Sequence, residues 1–275
     1  MDCVIFSSWV PFQFLHRAHV YIDILKKYYS DCKIYVGVNC GSDNIWKDML
    51  LDSGLNVTIR DVPVALDINS DASGYQAALQ LYAEDKNNFS YGHVWFLHTK
   101  SISHPDSHFG NGVHDYVRYS GMCRAKVTEM LNSEEFYGGW SNNVSYNQEW
   151  EWQDKINEVC NFPYPQAHLG LFFLTTNFVI KNHIVQTFIK NSKSEFWTEN
   201  MGKRFNRYFF EFHFPLIISK SGYLPVFNNV WFRDDEKAAD REFLDSYFPW
   251  LASIGKQHRE TLLLPPFRNK VIFQK

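Results

Sequence analysis

Tyr91-Gly92-His93-Val94-Trp95-Phe96-Leu97-His98-Thr99-Lys100-Ser101 reads as a short buried strand, His93 to Leu97, that runs into the polar cluster His98-Thr99-Lys100. Aromatic and β-branched residues fill the run, and Gly92 punctuates its start. In open α/β sheets, ligands sit beyond the carboxyl ends of the strands. Lys100 supplies a charge and three donors, Thr99 an O–H, and His98 a donor or general acid. These are the groups needed to hold phosphate oxygens. The plainer alternative is a strand that ends in a polar turn, and these three residues alone do not separate the two.

Upstream, apolar runs and helical patterns alternate. Cys3 to Ser7 is a compact strand, and Phe14 to Tyr29 carries apolar residues at roughly helical spacing. Cys32 to Val38 is a second strand, followed by a turn, Asn39 to Asn44, that offers a helix cap. Ile45 to Ser53 is a short helix closed by Gly54, and Leu55 to Ile59 a third strand. Asp67 to Ser73 reads as a polar turn and Gly74 to Glu84 as a helix. The resulting β-α-β-α-β-α-β order predicts an α/β fold with a mostly parallel central sheet flanked by helices.

Downstream the pattern loosens. Ser101 to Val113 is a polar loop, Tyr116 to Leu131 a helix, and Phe136 to Trp140 a short strand. Asn142 to Tyr164 is irregular apart from a helix near Trp150 to Val159. Leu169 to Ile180 reads as strand and turn, and Asn182 to Lys190 as a helix. Arg204 to Ser221 looks like a long helix, and Tyr223 to Val230 returns to strand. No linker or internal repeat breaks the 275 residues, so one domain is expected. Its nucleotide-binding half would span 1–100, its acceptor and catalytic half 101–235, and a packed tail 236–275.

Composition narrows the function. A net charge of −3 without a basic stripe argues against nucleic-acid binding. Five widely spaced cysteines without a C-x-x-C pair suit free thiols in a reducing compartment. The amino terminus shows neither a basic n-region nor an apolar h-region, and no run is long enough to span a membrane. A cytoplasmic location is the expectation.

The second strand leads into Val38-Asn39-Cys40-Gly41-Ser42. The Asn39 amide can both donate to and accept from a base, although an ordinary βα turn would look the same. With that segment in place, the first hundred residues resemble the nucleotide-binding half of GT-A glycosyltransferases. In that family a V-D-D-G-S-like segment ends the second strand, and a later helix carries small residues, similar here to Ser73-Gly74-Tyr75-Gln76-Ala77-Ala78. The resemblance implies a nucleotide and diphosphate site at Ser7, Asn39, Ser73, His98, Thr99 and Lys100. The family's fourth strand delivers D-x-D carboxylates for a divalent metal, and this chain has His98-Thr99-Lys100 instead. The H-T-K-x-S form is similar to a branch in rhamnan and lipopolysaccharide synthesis, in which an Arg-bearing helix follows, as Arg118 and Arg124 do here. In motif, length and aromatic content the chain also resembles chlorella-virus capsid-glycan xylosyltransferases, and that resemblance implies xylose as a candidate donor sugar.

The substitution has a physical logic. Hard cations need oxygen ligands, which this segment lacks, whereas Lys and His can stabilise a departing diphosphate directly. No metal ligand and no resident cofactor is therefore expected, with dependence on a divalent ion left open. Inverting members carry an acidic residue at the head of a helix with a Gly-Tyr three turns later. Glu211 has that spacing to Gly222-Tyr223 and would serve as catalytic base, with His213 its rival and an ion pair with Arg207 the structural alternative. Gly139 and Trp140, with His168 and Gly170, could frame the sugar and acceptor pocket, because glycines admit close backbone approach and an indole face suits a sugar ring. Core packing is the alternative for Trp140. The resemblance thus implies an inverting transferase that moves a sugar from a UDP-sugar to a glycan hydroxyl. A non-catalytic carbohydrate-binding protein on a degenerate scaffold is the first rival. A nucleotidyltransferase is the second, weakened because Ser7-Ser8-Trp9-Val10-Pro11 is no Gly-rich phosphate loop.

Overall fold

The computed structural model describes residues 1–63, 71–99, 102–104 and 178–199, single helical positions at 124, 128 and 132, and short strands at 139–141, 144–146 and 171–173. The first strands are β1 (Cys3–Ser8), β2 (Lys33–Val38), β3 (Asn56–Asp61) and β4 (His93–His98). Between them lie α1 (Leu15–Tyr29), α2 (Asn44–Leu51) and α3 (Asp71–Glu84). Then follow β5 (Gly139–Ser141), β6 (Val144–Tyr146), β7 (Leu171–Phe173), β8 (Phe178–Lys181), α4 (Asn182–Asn191) and α5 (Ser194–Thr198).

The main sheet has six strands in the order β3-β2-β1-β4-β8-β5. β1 pairs in parallel with β2 and β4, and β2 with β3. β8 is antiparallel to both β4 and β5, so it alone runs against the others. The expected mostly parallel α/β sheet is therefore present, with one reversed strand inserted. β6 and β7 form a separate antiparallel pair.

Alternate side chains leave a strand on opposite faces, and both faces here are covered. Val4, Phe6, Ile34, Val36, Trp95 and Leu97 cluster with Leu25 of α1 and Trp46 and Leu50 of α2. Cys3, Ile5, Tyr35, Val94 and Phe96 cluster with Tyr75, Leu79 and Tyr82 of α3 and Phe188 of α4. That two-sided burial explains why these strands read as continuous apolar runs. The Asp43 carboxylate accepts from Ile45 N at 2.8 Å and so caps α2.

Several boundaries differ from the sequence reading. Asp71, Ala72 and Ser73 are the first turn of α3, not part of a turn before it. Their polarity signals a helix start, where free N–H groups need acceptors, as readily as it signals a loop. Val144–Tyr146 is a strand inside a stretch read as irregular, and α5 was not anticipated. The strand expected at Phe136 to Trp140 is seen at Gly139–Ser141. The expected elements from Arg204 onward lie outside the described residues.

Asp2 anchors the amino edge of the sheet. Its carboxylate lies 3.1 Å from His93 Nδ1, accepts from Trp95 Nε1 at 3.1 Å, and meets Arg124 at 3.4 Å. Arg124 also grips both oxygens of Asp31, donates to the Tyr28 carbonyl at 2.9 Å, and lies over the Tyr29 ring. Burial alone would raise the Asp2 pKa, but its bonds to His93, Trp95 and Arg124 outweigh burial and hold it below the usual carboxylate value. The Arg124 hydrogen bond holds Asp31 down in the same way. Arg124, on the helix that the resemblance places after the H-T-K motif, is thus tied at the amino edge. The carboxyl edge lies about 20 Å away along β1.

Candidate nucleotide-binding crevice

The strand order reverses at β1, with β2 and β3 on one side and β4 on the other. Such a topological switch point opens a crevice at the carboxyl ends of the strands, where open α/β sheets bind ligands. Ser7 and Ser8 end β1, Asn39 follows β2, His98 ends β4 and Thr99 follows it. All five are buried.

Two glycines bring α3 into this crevice. A Cβ on Gly37 would lie 1.9 Å from the Gly74 carbonyl oxygen. A Cβ on Gly74 would lie 2.2 Å from Ser7 Oγ and 3.0 Å from Asn39 Nδ2. Only hydrogen fits at either place, so the first turn of α3 rests directly on β2, Ser7 and Asn39. Ser73, buried in that turn, joins them. The amino terminus of a helix presents free N–H groups and a partial positive charge, both suited to an anion.

Asn39 has one feature that the fold does not explain. Its backbone N–H donates to the Ser8 carbonyl at 2.8 Å, and its side-chain Nδ2 donates to Ser7 Oγ at 3.3 Å. Its Oδ1 is buried without a hydrogen-bond partner. Leaving a buried amide oxygen unpaired costs about 1–3 kcal/mol, so such an atom calls for a reason. An N–H group of a bound molecule would satisfy it.

The H-T-K motif divides. The His98 ring is buried against Tyr75, with Nδ1 3.4 Å from the Tyr75 hydroxyl. The Thr99 hydroxyl accepts from Trp9 N at 3.0 Å and donates to the Trp9 carbonyl at 3.3 Å. Lys100, His168, Gly170, Glu211 and His213 lie outside the described residues. Gly139 and Trp140 are on β5, opposite Ile180 and Val179 of β8. That strand is separated from β4 by β8, so its backbone runs roughly 10 Å from β4. Among the described residues, no group of three or more His, Cys, Asp or Glu stands together as a metal would need.

Two residues belong to this edge without having been anticipated. Arg17, buried at the start of α1, donates to the carbonyls of Ile102 and His104 at 2.6 and 2.7 Å. It ties the segment after β4 to α1. Trp9 follows β1 directly, half-buried, with its ring centroid 6.2 Å from that of Phe14. A large aromatic residue just past a strand end was the available signal for Trp9. Nothing in the sequence marks Arg17.

The fold defines an α/β protein with a doubly covered, mostly parallel sheet and a cluster of buried polar side chains at its switch point. No protein-family model matches the chain, and no curated protein matches it. No helix among the described residues is long and apolar enough to cross a membrane.

Proposed function

We propose that this protein is a glycosyltransferase that takes a sugar from a UDP-sugar and passes it to a glycan hydroxyl. The observation that carries the reading is the unpartnered Asn39 Oδ1, buried beside Ser7 beneath the amino terminus of α3. Uracil offers an N–H donor for that oxygen. The α3 terminus, with Ser73, suits the charge of the diphosphate, and Lys100 would add a cation at the same edge. The resemblance of the first hundred residues to GT-A glycosyltransferases supplies the reaction class, and the likeness in motif, length and aromatic content to chlorella-virus xylosyltransferases makes xylose the candidate sugar.

In this reading Glu211, or failing it His213, removes the acceptor hydroxyl proton as the oxygen attacks the anomeric carbon. The bond from that carbon to the diphosphate oxygen breaks, and UDP leaves with the electron pair. A base of this kind is typically worth about a hundredfold to ten-thousandfold. Single displacement inverts the anomeric centre.

Thermal denaturation with UDP, ADP and GDP tests the nucleotide. UDP should raise the melting temperature most, because only a molecule that binds the native state stabilises it. Equal shifts for all three would sink the uracil assignment. UDP release from a panel of UDP-sugars tests the transfer. Binding without release under any acceptor would leave a carbohydrate-binding protein.

A further inference from the structure

The chain at and just past the end of β1 is fixed by side-chain and backbone groups from two other segments. The Ser8 carbonyl accepts from Asn39 N at 2.8 Å. Trp9 N donates to the Thr99 hydroxyl, and the Trp9 carbonyl accepts from it. Val10 N donates to Ser42 Oγ at 3.1 Å, and the Val10 carbonyl accepts from Asp43 N at 2.8 Å. Every one of these backbone groups is therefore satisfied, although the strand ladder has ended. An ordinary loop would leave them to water.

Two hydroxyls are thus committed to one short segment, and its central residue is Trp9. The indole is half-buried, and its Nε1 makes no hydrogen bond among the described residues. That nitrogen lies 3.5 Å from where a Cβ on Gly41 would stand, against the turn that Asn39 opens. A rigid backbone carrying an unspent indole donor at a switch-point crevice is the arrangement of a preorganised ligand contact. The Thr99 hydroxyl, meanwhile, has its one proton on the Trp9 carbonyl and cannot also give it to a phosphate oxygen.

We propose that Thr99 is a positioning residue that acts through Trp9, and that Trp9 is a wall of the nucleoside pocket. The proposal rests on the uridine reading above and reassigns the central residue of the H-T-K motif. Thr99 serves recognition of the nucleoside and makes no contact with the diphosphate.

Calorimetric titration of the full chain with uridine and with UDP tests it. Thr99→Val keeps the shape and removes both bonds to Trp9. The loss should be about tenfold, the worth of one or two hydrogen bonds, and equal for the two ligands. Thr99→Ser keeps the hydroxyl and should restore both affinities. In a Trp9→Phe background, Thr99→Val should cost clearly less than it does alone. A loss confined to UDP would put the hydroxyl on the phosphates and overturn the proposal, as would unchanged affinity in Thr99→Val. If Thr99→Val does not fold, Thr99→Ala is read against the same outcomes. A wild-type chain that binds neither ligand overturns the uridine reading itself. A wild-type chain that binds both, with Thr99 variants that behave otherwise than stated, overturns only the role of Thr99.

Discussion

Gly37→Ala puts a single methyl group where the sheet and α3 already touch. The new Cβ would stand 1.9 Å from the Gly74 carbonyl oxygen, 2.7 Å from its carbon and 2.9 Å from its Cα. All three are backbone atoms, so no rotamer change relieves the clash. Ordinary contact needs roughly 3.5 Å, so the start of α3 would have to retreat by more than about 1 Å. Overpacking of this kind typically costs about 1–3 kcal/mol. For a chain of this size that lowers the melting temperature by roughly 2–5 °C. The retreat also lifts Gly74 from Ser7 and Asn39, so UDP should stabilise the variant less than the wild type. Thermal denaturation with and without UDP measures both effects. A variant that melts within 1 °C of wild type and keeps its full UDP shift would refute the close α3 docking and its link to the crevice.

Two further outcomes follow from other parts of the chain. Asp2 and Asp31 have folded pKa values below their unfolded ones, so their contribution is complete above the unfolded value, near ~4, and is lost as pH falls through the lower folded values. Asp2→Asn should therefore be less stable than wild type at neutral pH and lose less on going from about pH 4 to pH 2; urea melts that stay parallel over that range would exclude the Asp2 pairing. Glu211→Gln should leave UDP binding within about a few-fold and lower turnover by at least about a hundredfold; normal turnover would move the base elsewhere, with His213 the next to test.

Most of the sheet was legible because strands buried on both faces are unambiguous. Val4-Ile5-Phe6, Ile34-Tyr35-Val36 and Val94-Trp95-Phe96 admit little else at that length, and the helical stretches between them imply parallel pairing. The direction of β8 was not legible. Phe178-Val179-Ile180 looks the same whichever way it runs, and its direction depends on where the preceding chain arrives. The start of α3 was misread because Asp71 and Ser73 are turn formers and helix starters alike. Asn39 is singled out by its place after β2, but that its Oδ1 is buried without a partner is visible only in the folded chain, where α3 packs closely on it. Thr99 was read as a ligand from its residue type. Which partner its hydroxyl takes is decided by Trp9, 90 residues away in sequence.

The insertion of β8 between β4 and β5 has a consequence for biosynthesis. When β4 leaves the ribosome, β1 is available as one neighbour, but Phe178–Lys181 is still about 80 residues from being made. At roughly 5–20 residues per second the nascent chain waits about 4–16 s with one side of β4 unpaired. Trp95 and Phe96 sit on that open edge, and such edges invite pairing with other chains. A product terminated near residue 100 would never close it. Expression of the amino-terminal half alone should thus yield aggregates, and synthesis of the whole chain should lean on chaperones during that interval.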